Sequence, residues 1–243
     1  MVGWPQKRWI VWLRRGLDVL FPPRCVGCSR LGVWLCPDCQ ASIERIPAPI
    51  CDRCGRSAGR GDLCSRCQIA PIALDGIRSA AVHGGALQQA IHHFKYKRRR
   101  ELADILGQML YDYWQTLDLS VDFVLPVPLH ADRQKERGFN QSALLAAVLS
   151  EHAQLPLDAS HLVRTRATPP QVGLAPRERK VNVQGAFEWT GDELDGVCVL
   201  LVDDVCTSGA TLEACAAPLR KRGANAIWAL TLTRPSGEDN LLV

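Results

Sequence analysis

Two sets of residues in this 243-residue sequence could do chemistry. The first is the stretch Val199-Leu200-Leu201-Val202-Asp203-Asp204-Val205-Cys206-Thr207-Ser208-Gly209-Ala210-Thr211. An apolar run ends in two adjacent carboxylates, and a short loop of hydroxyl-bearing and small residues then opens a helix. Backbone N–H groups at such a helix start, with the hydroxyls of Thr207, Ser208 and Thr211, suit a phosphate. Gly209 and Ala210 let that phosphate approach the backbone. Asp203 and Asp204 repel a phosphate but accept hydrogen bonds from hydroxyls a few ångströms away. A phosphate with neighbouring hydroxyls describes a ribose 5-phosphate, which makes Asp203 and Asp204 the candidate catalytic pair. The plainer reading of two acids after a strand is a turn or a helix cap. The run also resembles the acidic strand of an ATPase, but that needs a partner Gly-Lys-Ser/Thr loop, and no Gly-Lys pair occurs in the chain.

The second set is cysteine. Eight of the 11 cysteines form four pairs, Cys25/Cys28, Cys36/Cys39, Cys51/Cys54 and Cys64/Cys67, each with two residues between. That spacing aims both sulfurs at one point, and two pairs supply the four soft ligands of a tetrahedral zinc. The gaps of seven and nine residues inside the two sets suit short hairpins, so two structural zinc ribbons in series are expected. Ligation that interleaves the first and third pairs is the alternative. A disulfide framework would require an oxidising compartment. A redox pair of the thioredoxin kind needs one such motif beside a strand and helix, not four in a row. Zinc in such a segment mostly replaces a missing core. Each loaded site carries a formal −2, which lowers the apparent basicity of residues 1–67, where 11 basic side chains face 5 acidic ones.

The elements that position these groups follow from pattern. Residues 4–20 form a basic amphipathic segment with Trp9, Trp12, Leu13, Leu17 and Leu20 near one face, ended by Pro22-Pro23. The expected organisation is an N-terminal helix in 1–23, a double zinc ribbon in 24–68 and an α/β domain in 73–235. Strands are expected over 77–82, 121–127, 161–164, 197–202 and 226–233. Helices are expected over 86–96, 101–114, 141–151 and 209–222, with a Thr- and Pro-rich loop at 165–176. Alternating strands and helices predict a parallel sheet covered on both faces, with its ligand beyond the carboxyl ends of the strands. Cys198, Cys206 and Cys215 read as small packing residues. Charge is uneven: residues 1–100 carry 17 Lys/Arg against 6 Asp/Glu, the remainder 12 against 19, so the two parts are expected to meet different partners. No apolar run approaches the roughly 18 residues of a membrane span, and no secretory segment is read. The expected location is the cytoplasm, with the inner membrane face as the one membrane surface within reach.

At this point two resemblances become specific. Residues 199–211 resemble the phosphoribosyl-pyrophosphate (PRPP) signature of the type I phosphoribosyltransferases, with Ser208 where Thr is frequent. The resemblance implies that Asp203 and Asp204 hold the ribose hydroxyls. Thr207, Ser208, Gly209, Ala210 and Thr211 then hold the 5-phosphate, and Mg²⁺ accompanies PRPP. Three further stretches narrow the match: Lys95-Tyr96-Lys97; Val127-Pro128-Leu129-His130 with Arg133 and Arg137-Gly138-Phe139-Asn140-Gln141-Ser142; and Arg164-Thr165-Arg166 through Pro170-Gln171, Arg177, Arg179, Asn182 and Ala186-Phe187. With the cysteine pairs, these resemble the ComF/GntX family of ComFC-like proteins from about Phe21 to Arg234.

That family implies a phosphoribosyltransferase fold and a part in DNA uptake during natural transformation, or in DNA use, with competence-machinery proteins as partners. Charge logic puts Lys95, Arg133, Arg137 and Arg177 on the pyrophosphate side, with Arg177 and the 165–176 loop as a mobile cover. The basic run Lys95, Tyr96, Lys97, Arg98, Arg99 and Arg100 is a candidate track for single-stranded nucleic acid, the ring stacking on a base. Two functions stay open: an enzyme moving a phosphoribosyl group to an unidentified acceptor, and a non-catalytic ribose-phosphate-sensing adaptor that binds single-stranded DNA and competence partners.

Overall fold

The computed structural model describes residues 22–58, 62–169 and 175–236. The segment expected as a helix over 4–20 lies outside them. Two short helices, α1 (Pro37–Ala41) and α2 (Ser65–Ile69), belong to the cysteine-rich part. After them come β1 (Gly76–Val82), α3 (Gly85–Tyr96), α4 (Leu102–Trp114), β2 (Phe123–Pro126), α5 (Ala131–Arg137) and α6 (Gln141–Ala153). The chain continues with β3 (Leu162–Arg164), α7 (Pro176–Val183), β4 (Phe187–Trp189), β5 (Cys198–Val205), α8 (Ala210–Lys221) and β6 (Ala226–Arg234).

Four strands form a parallel sheet in the order β1-β6-β5-β2. The apolar run of β5 shows why both faces are covered. Leu200 and Val202 join a core with Phe94, Leu106 and Leu149 from α3, α4 and α6. Val199 and Leu201 join the opposite core with Leu212, Cys215 and Leu219 of α8. A period of two thus sends alternate residues into two separate cores, as a strand buried on both sides requires.

Three sequence expectations need correction. β5 runs on through both acids to Val205, because Asp203 and Val205 keep their register with Thr231 and Thr233 of β6. Residues 162–164 do not join the parallel sheet but pair antiparallel with β4 in a two-stranded ribbon. Helices α5 and α7 occupy stretches too polar to show an apolar stripe. α7 starts at Pro176, and the Glu178 carboxylate accepts from the Ala175 N–H at 2.7 Å.

β1 is an edge strand, and its free edge is covered by the cysteine-rich part. The Val82 N–H donates to the Glu44 carbonyl and the Ile77 N–H to the Arg53 carbonyl, both at 2.8 Å. This removes the exposed row of donors that would otherwise template association.

Candidate functional site

The two cysteine clusters are structural repeats. In each, the first cysteine N–H bonds the carbonyl five residues on (Cys25 to Arg30, Cys51 to Arg56), and its own carbonyl accepts from the residue four on. Gln40 and Gln68 reach back to the carbonyls of Leu35 and Leu63 in the same way. The sulfurs of Cys25, Cys28, Cys36 and Cys39 lie within 4.8 Å of one another, as do those of Cys51, Cys54, Cys64 and Cys67. The pairing is therefore sequential, not interleaved. Cys28–Cys36 and Cys54–Cys64 are each 3.6 Å apart, close to the ~3.8 Å edge of a tetrahedron built on Zn–S bonds of ~2.3 Å. Burial opposes ionisation of Cys25 and Cys51, but converging backbone N–H groups prevail and bring both thiols down to about 6. Donor type, number and spacing all fit structural zinc at both sites.

The other candidate residues meet at the carboxyl ends of the strands, where such sheets bind ligands. A cleft of about 390 Å³ is lined there by His83 after β1, Val127–Leu129 after β2, and Asp203, Asp204 and Thr207 at the end of β5. Lys95, Tyr96, Arg133, Arg137 and Thr211 complete the group of expected residues that converge on it. Asp204 is 2% exposed and forms an ion pair with Lys95 at 2.8 Å. Its second oxygen, Oδ2, is buried and has no hydrogen-bond partner among the described residues. Asp203 accepts from the Ser142 hydroxyl at 2.7 Å and from the Asp204 N–H at 2.9 Å. Burial, with the Asp204 charge beside it, nevertheless pushes Asp203 up to about 7. Burial and the nearby Lys95 push His83 below its ordinary value.

The motif 137–142 explains how the floor is held. Gly138 closes α5 at φ +82, where a side chain would be strained. Phe139 packs on Phe94 with ring centroids 5.5 Å apart. Asn140 caps α6 through the Ser142 N–H and ties it to the Val127 carbonyl at 3.0 Å. Arg137 bonds Gln141 at 2.5 Å and lies over the Tyr96 ring at 5.4 Å. Ser142 and Gln141 support the acids and cations, and only a fold could assign them that work.

Other expected residues are dispersed. Gly209 caps α8 at φ +84, and the Ser208 hydroxyl accepts from the Ala210 N–H at 3.3 Å. Ala210 and Arg177 line a separate groove with Lys180 and Glu213, so Arg177 is not on the acid cleft. Arg164 and Arg179 line it instead, beside Thr168 and Pro169. Of the expected cover, residues 170–174 lie outside the described residues. The basic run divides. Tyr96 is 58% exposed at the cleft rim. Arg98 and Arg100, however, donate to the carbonyls of Glu136 and Gly138, and Arg99 lies over Trp34 at 4.8 Å. Cys206 and Cys215 are buried, as packing residues should be, whereas Cys198 is half-exposed.

No described helix is long and apolar enough to cross a membrane. Residues 16–68 match the double zinc ribbon domain. The chain is 34% identical to the DNA utilization protein YhgH of Escherichia coli over 212 residues, 84% of this chain and 92% of that protein. It is 30% identical to Competence protein F of Haemophilus influenzae, covering 87% of this chain and 96% of that one. Among solved structures it is similar to a hypoxanthine phosphoribosyltransferase from Staphylococcus aureus, 15% identical, with a TM-score of 0.38 over 56% of this chain and 64% of that one. The ribbon match at one end and relatives that span nearly the whole length agree with the motif order along the chain, which belongs to the ComF/GntX family.

Proposed function

We propose that the cleft binds PRPP or ribose 5-phosphate and that the protein transfers a phosphoribosyl group. The observation that carries this reading is the meeting, in one cleft, of the buried pair Asp203/Asp204 with Lys95, Arg133, Arg137, Arg164 and Arg179. A sugar bearing hydroxyls and phosphates needs acceptors for the first and cations for the second. Asp204 Oδ2, without a partner among the described residues, supports a hydroxyl donor as the natural occupant, since a buried acceptor left unsatisfied costs on the order of 1–3 kcal/mol. With a ribose hydroxyl on Asp204 Oδ2, Lys95 keeps Oδ1 and turns its remaining donors, with Arg133 and Arg137, to the pyrophosphate. In the reaction the bond from the anomeric carbon to pyrophosphate breaks and one to the acceptor forms, through an oxocarbenium-like state. The protein positions the sugar and stabilises the departing polyanion. Mg²⁺, which would neutralise pyrophosphate charge when bound, has in Asp203 and Asp204 the hard oxygen donors it prefers. Thr207 and Thr211 act on the 5-phosphate, with the backbone from Ser208 to Ala210.

The names of the two relatives supply the setting, DNA use and competence, and so the partner class, proteins of DNA uptake. Pyrophosphate release from PRPP, scanned across nucleobases and small amines, tests the reading. Steady release with one acceptor is expected. Asp203→Asn/Asp204→Asn should weaken ribose 5-phosphate binding at least about a hundredfold in a calorimetric titration. Unchanged affinity in that double variant removes the assignment.

A second reading, the adaptor, is favoured by exposed Tyr96 under Arg137 at the rim, which suits a stacked base. Tyr96→Ala with Lys97→Gln should then lower single-stranded DNA affinity in a salt-dependent manner. With Arg98 to Arg100 held on the protein, those two residues carry the contact.

A further inference from the structure

The second ribbon touches the phosphate loop directly. The Arg56 guanidinium, one residue past the Cys54-Gly55 corner, donates through Nη2 to the Thr207 carbonyl at 2.8 Å. Beside it lies Arg234, 3% exposed at the end of β6, which donates to the Cys54 carbonyl and sits 4.0 Å from the Cys206 sulfur. Gly55 brings the two parts this close. Its φ is +68, and a Cβ there would meet the Ile77 carbonyl at 2.2 Å. Among the described residues neither guanidinium is paired with a carboxylate. Two like charges held together, Arg234 buried and Arg56 half-buried, call for a counter-charge. The nearest source is the second four-cysteine site, −2 with zinc, of which Cys54 is a ligand.

We propose that Arg56 is a positioning residue for the ribose-phosphate cleft, so that the second zinc ribbon and the phosphate loop form one functional unit. The inference rests on the ribose-phosphate reading above and adds the ribbon to it. The physical reason lies in the peptide plane. Thr207 C=O and Ser208 N–H belong to one planar trans unit and point in opposite directions. Holding the carbonyl on Arg56 fixes the Ser208 N–H pointing away from the ribbon. A cation on the carbonyl also polarises that amide and makes its N–H a stronger donor to an anion. Loss of the second zinc would unpin the Cys54-Gly55-Arg56 corner that carries the guanidinium and so loosen its hold on the carbonyl.

The test uses the full chain, with ribose 5-phosphate titrated by calorimetry and zinc counted by release to a chromophoric chelator. Arg56→Ala should keep both zinc ions yet bind ribose 5-phosphate roughly tenfold or more weakly, the loss expected for one charge-assisted hydrogen bond. Low concentrations of free guanidinium should restore affinity in that variant, a rescue that a merely structural role would not show. Arg56→Lys, which keeps the charge but not the planar fork, provides the same test should Arg56→Ala fail to fold, and it too should bind more weakly than the natural protein. Cys64→Ser should lose one zinc and show a loss of affinity at least as large. Wild-type affinity in a zinc-replete Arg56→Ala or Arg56→Lys protein overturns the inference. If Asp203→Asn/Asp204→Asn abolishes binding while both Arg56 variants bind normally, the cleft reading stands and only the ribbon's role falls. If the double acid variant binds normally, the cleft reading itself is what fails.

Discussion

The two ribbons are near-copies in sequence and local geometry, yet they join the α/β body by opposite physics. The first dissolves into the main core: Cys25, Cys36, Cys39 and Leu35 pack in one cluster with Leu87, Phe94 and Leu106. The second keeps a small cluster of its own, Cys51, Cys54 and Cys67 with Ala58, Leu63, Cys64 and Ile72 around them. It is fastened by arginines bonded to carbonyls. Arg53 reaches Leu74, Arg78 reaches Asp52, Arg234 reaches Cys54 and Arg56 reaches Thr207. Apolar burial resists separation without direction, whereas hydrogen bonds to backbone carbonyls specify where a loop sits. The same metal motif thus serves stability at one position and orientation at the other.

The comparison breaks most visibly at the zinc ligands. Cys36→Ser removes a ligand that is fully buried in the main core, and should lower the unfolding free energy by about 4–5 kcal/mol, the scale of a lost structural metal. Cys64→Ser in the second ribbon should cost only about 1–2 kcal/mol globally, because that cluster can open locally, while ribose-phosphate binding suffers. Urea denaturation of both variants checks the order; equal losses would erase the distinction.

The sequence exposes one of these ribbons as readily as the other, because the ligand spacing is local. It exposes Asp203 and Asp204 for the same reason: two acids at the end of an apolar run are neighbours in the chain. What it hides is every contact between distant segments. Ser142 reaches Asp203 across 61 residues and Arg56 reaches Thr207 across 151, and no local pattern records either. Arg177, expected on the pyrophosphate side, lines a different groove for a geometric reason. α7 has no apolar stripe to fix its phase, and two residues along a helix turn a side chain by about 200°, which is how Arg179 rather than Arg177 comes to face the acids. The basic run misleads differently. Arg98 adopts φ +53 and turns the chain, so that Arg98 and Arg100 meet carbonyls of the 136–138 turn instead of an open surface.

A pH scan sharpens the comparison, since the titrating acid is held from the core side by Ser142 and not by the second ribbon. Asp203 ordinarily titrates near 3.8 but is pushed up to about 7 in the fold. Below about pH 4 both folded and unfolded chains hold this proton. Between about 4 and 7 only the folded chain does, so stability falls as pH rises through that window and stays lowered above it. Asp203→Asn should flatten this dependence and leave the protein more stable than the natural chain at pH 8, by a gain on the order of a few kcal/mol. Thermal melts at pH 6, 7 and 8, with zinc counted at each pH so that metal loss is separated from the titration of the acid, report the difference. A variant that keeps the natural slope would show that another group titrates.

Gly55→Ala acts on the other side of the comparison. The substitution imposes a side chain at φ +68 against the Ile77 carbonyl, and should cost about 1–3 kcal/mol. Its mark is the site of the loss: faster amide exchange at Ile77, whose N–H is held by the Arg53 carbonyl, with the first ribbon's amides unchanged. Uniform acceleration in both ribbons would show that they open together.

The smallest expected effect tests whether the arginine fastening is distributed or concentrated. Arg78 bonds the Asp52 carbonyl at 2.8 Å and lies over the Trp228 ring at 5.3 Å. Arg78→Met keeps most of the apolar stem and loses one hydrogen bond and one cation–π contact, together worth about 1 kcal/mol at an exposed edge. Its contact is on β1, away from Thr207, so ribose-phosphate affinity should change less than twofold while exchange at the Asp52 turn quickens. If Arg78→Met weakened ligand binding as much as Arg56→Ala, the second ribbon would act as a rigid block whose every attachment positions the loop. If it left binding intact, orientation rests on the single Arg56-to-Thr207 contact, with the remaining arginines holding the ribbon near enough for that contact to form.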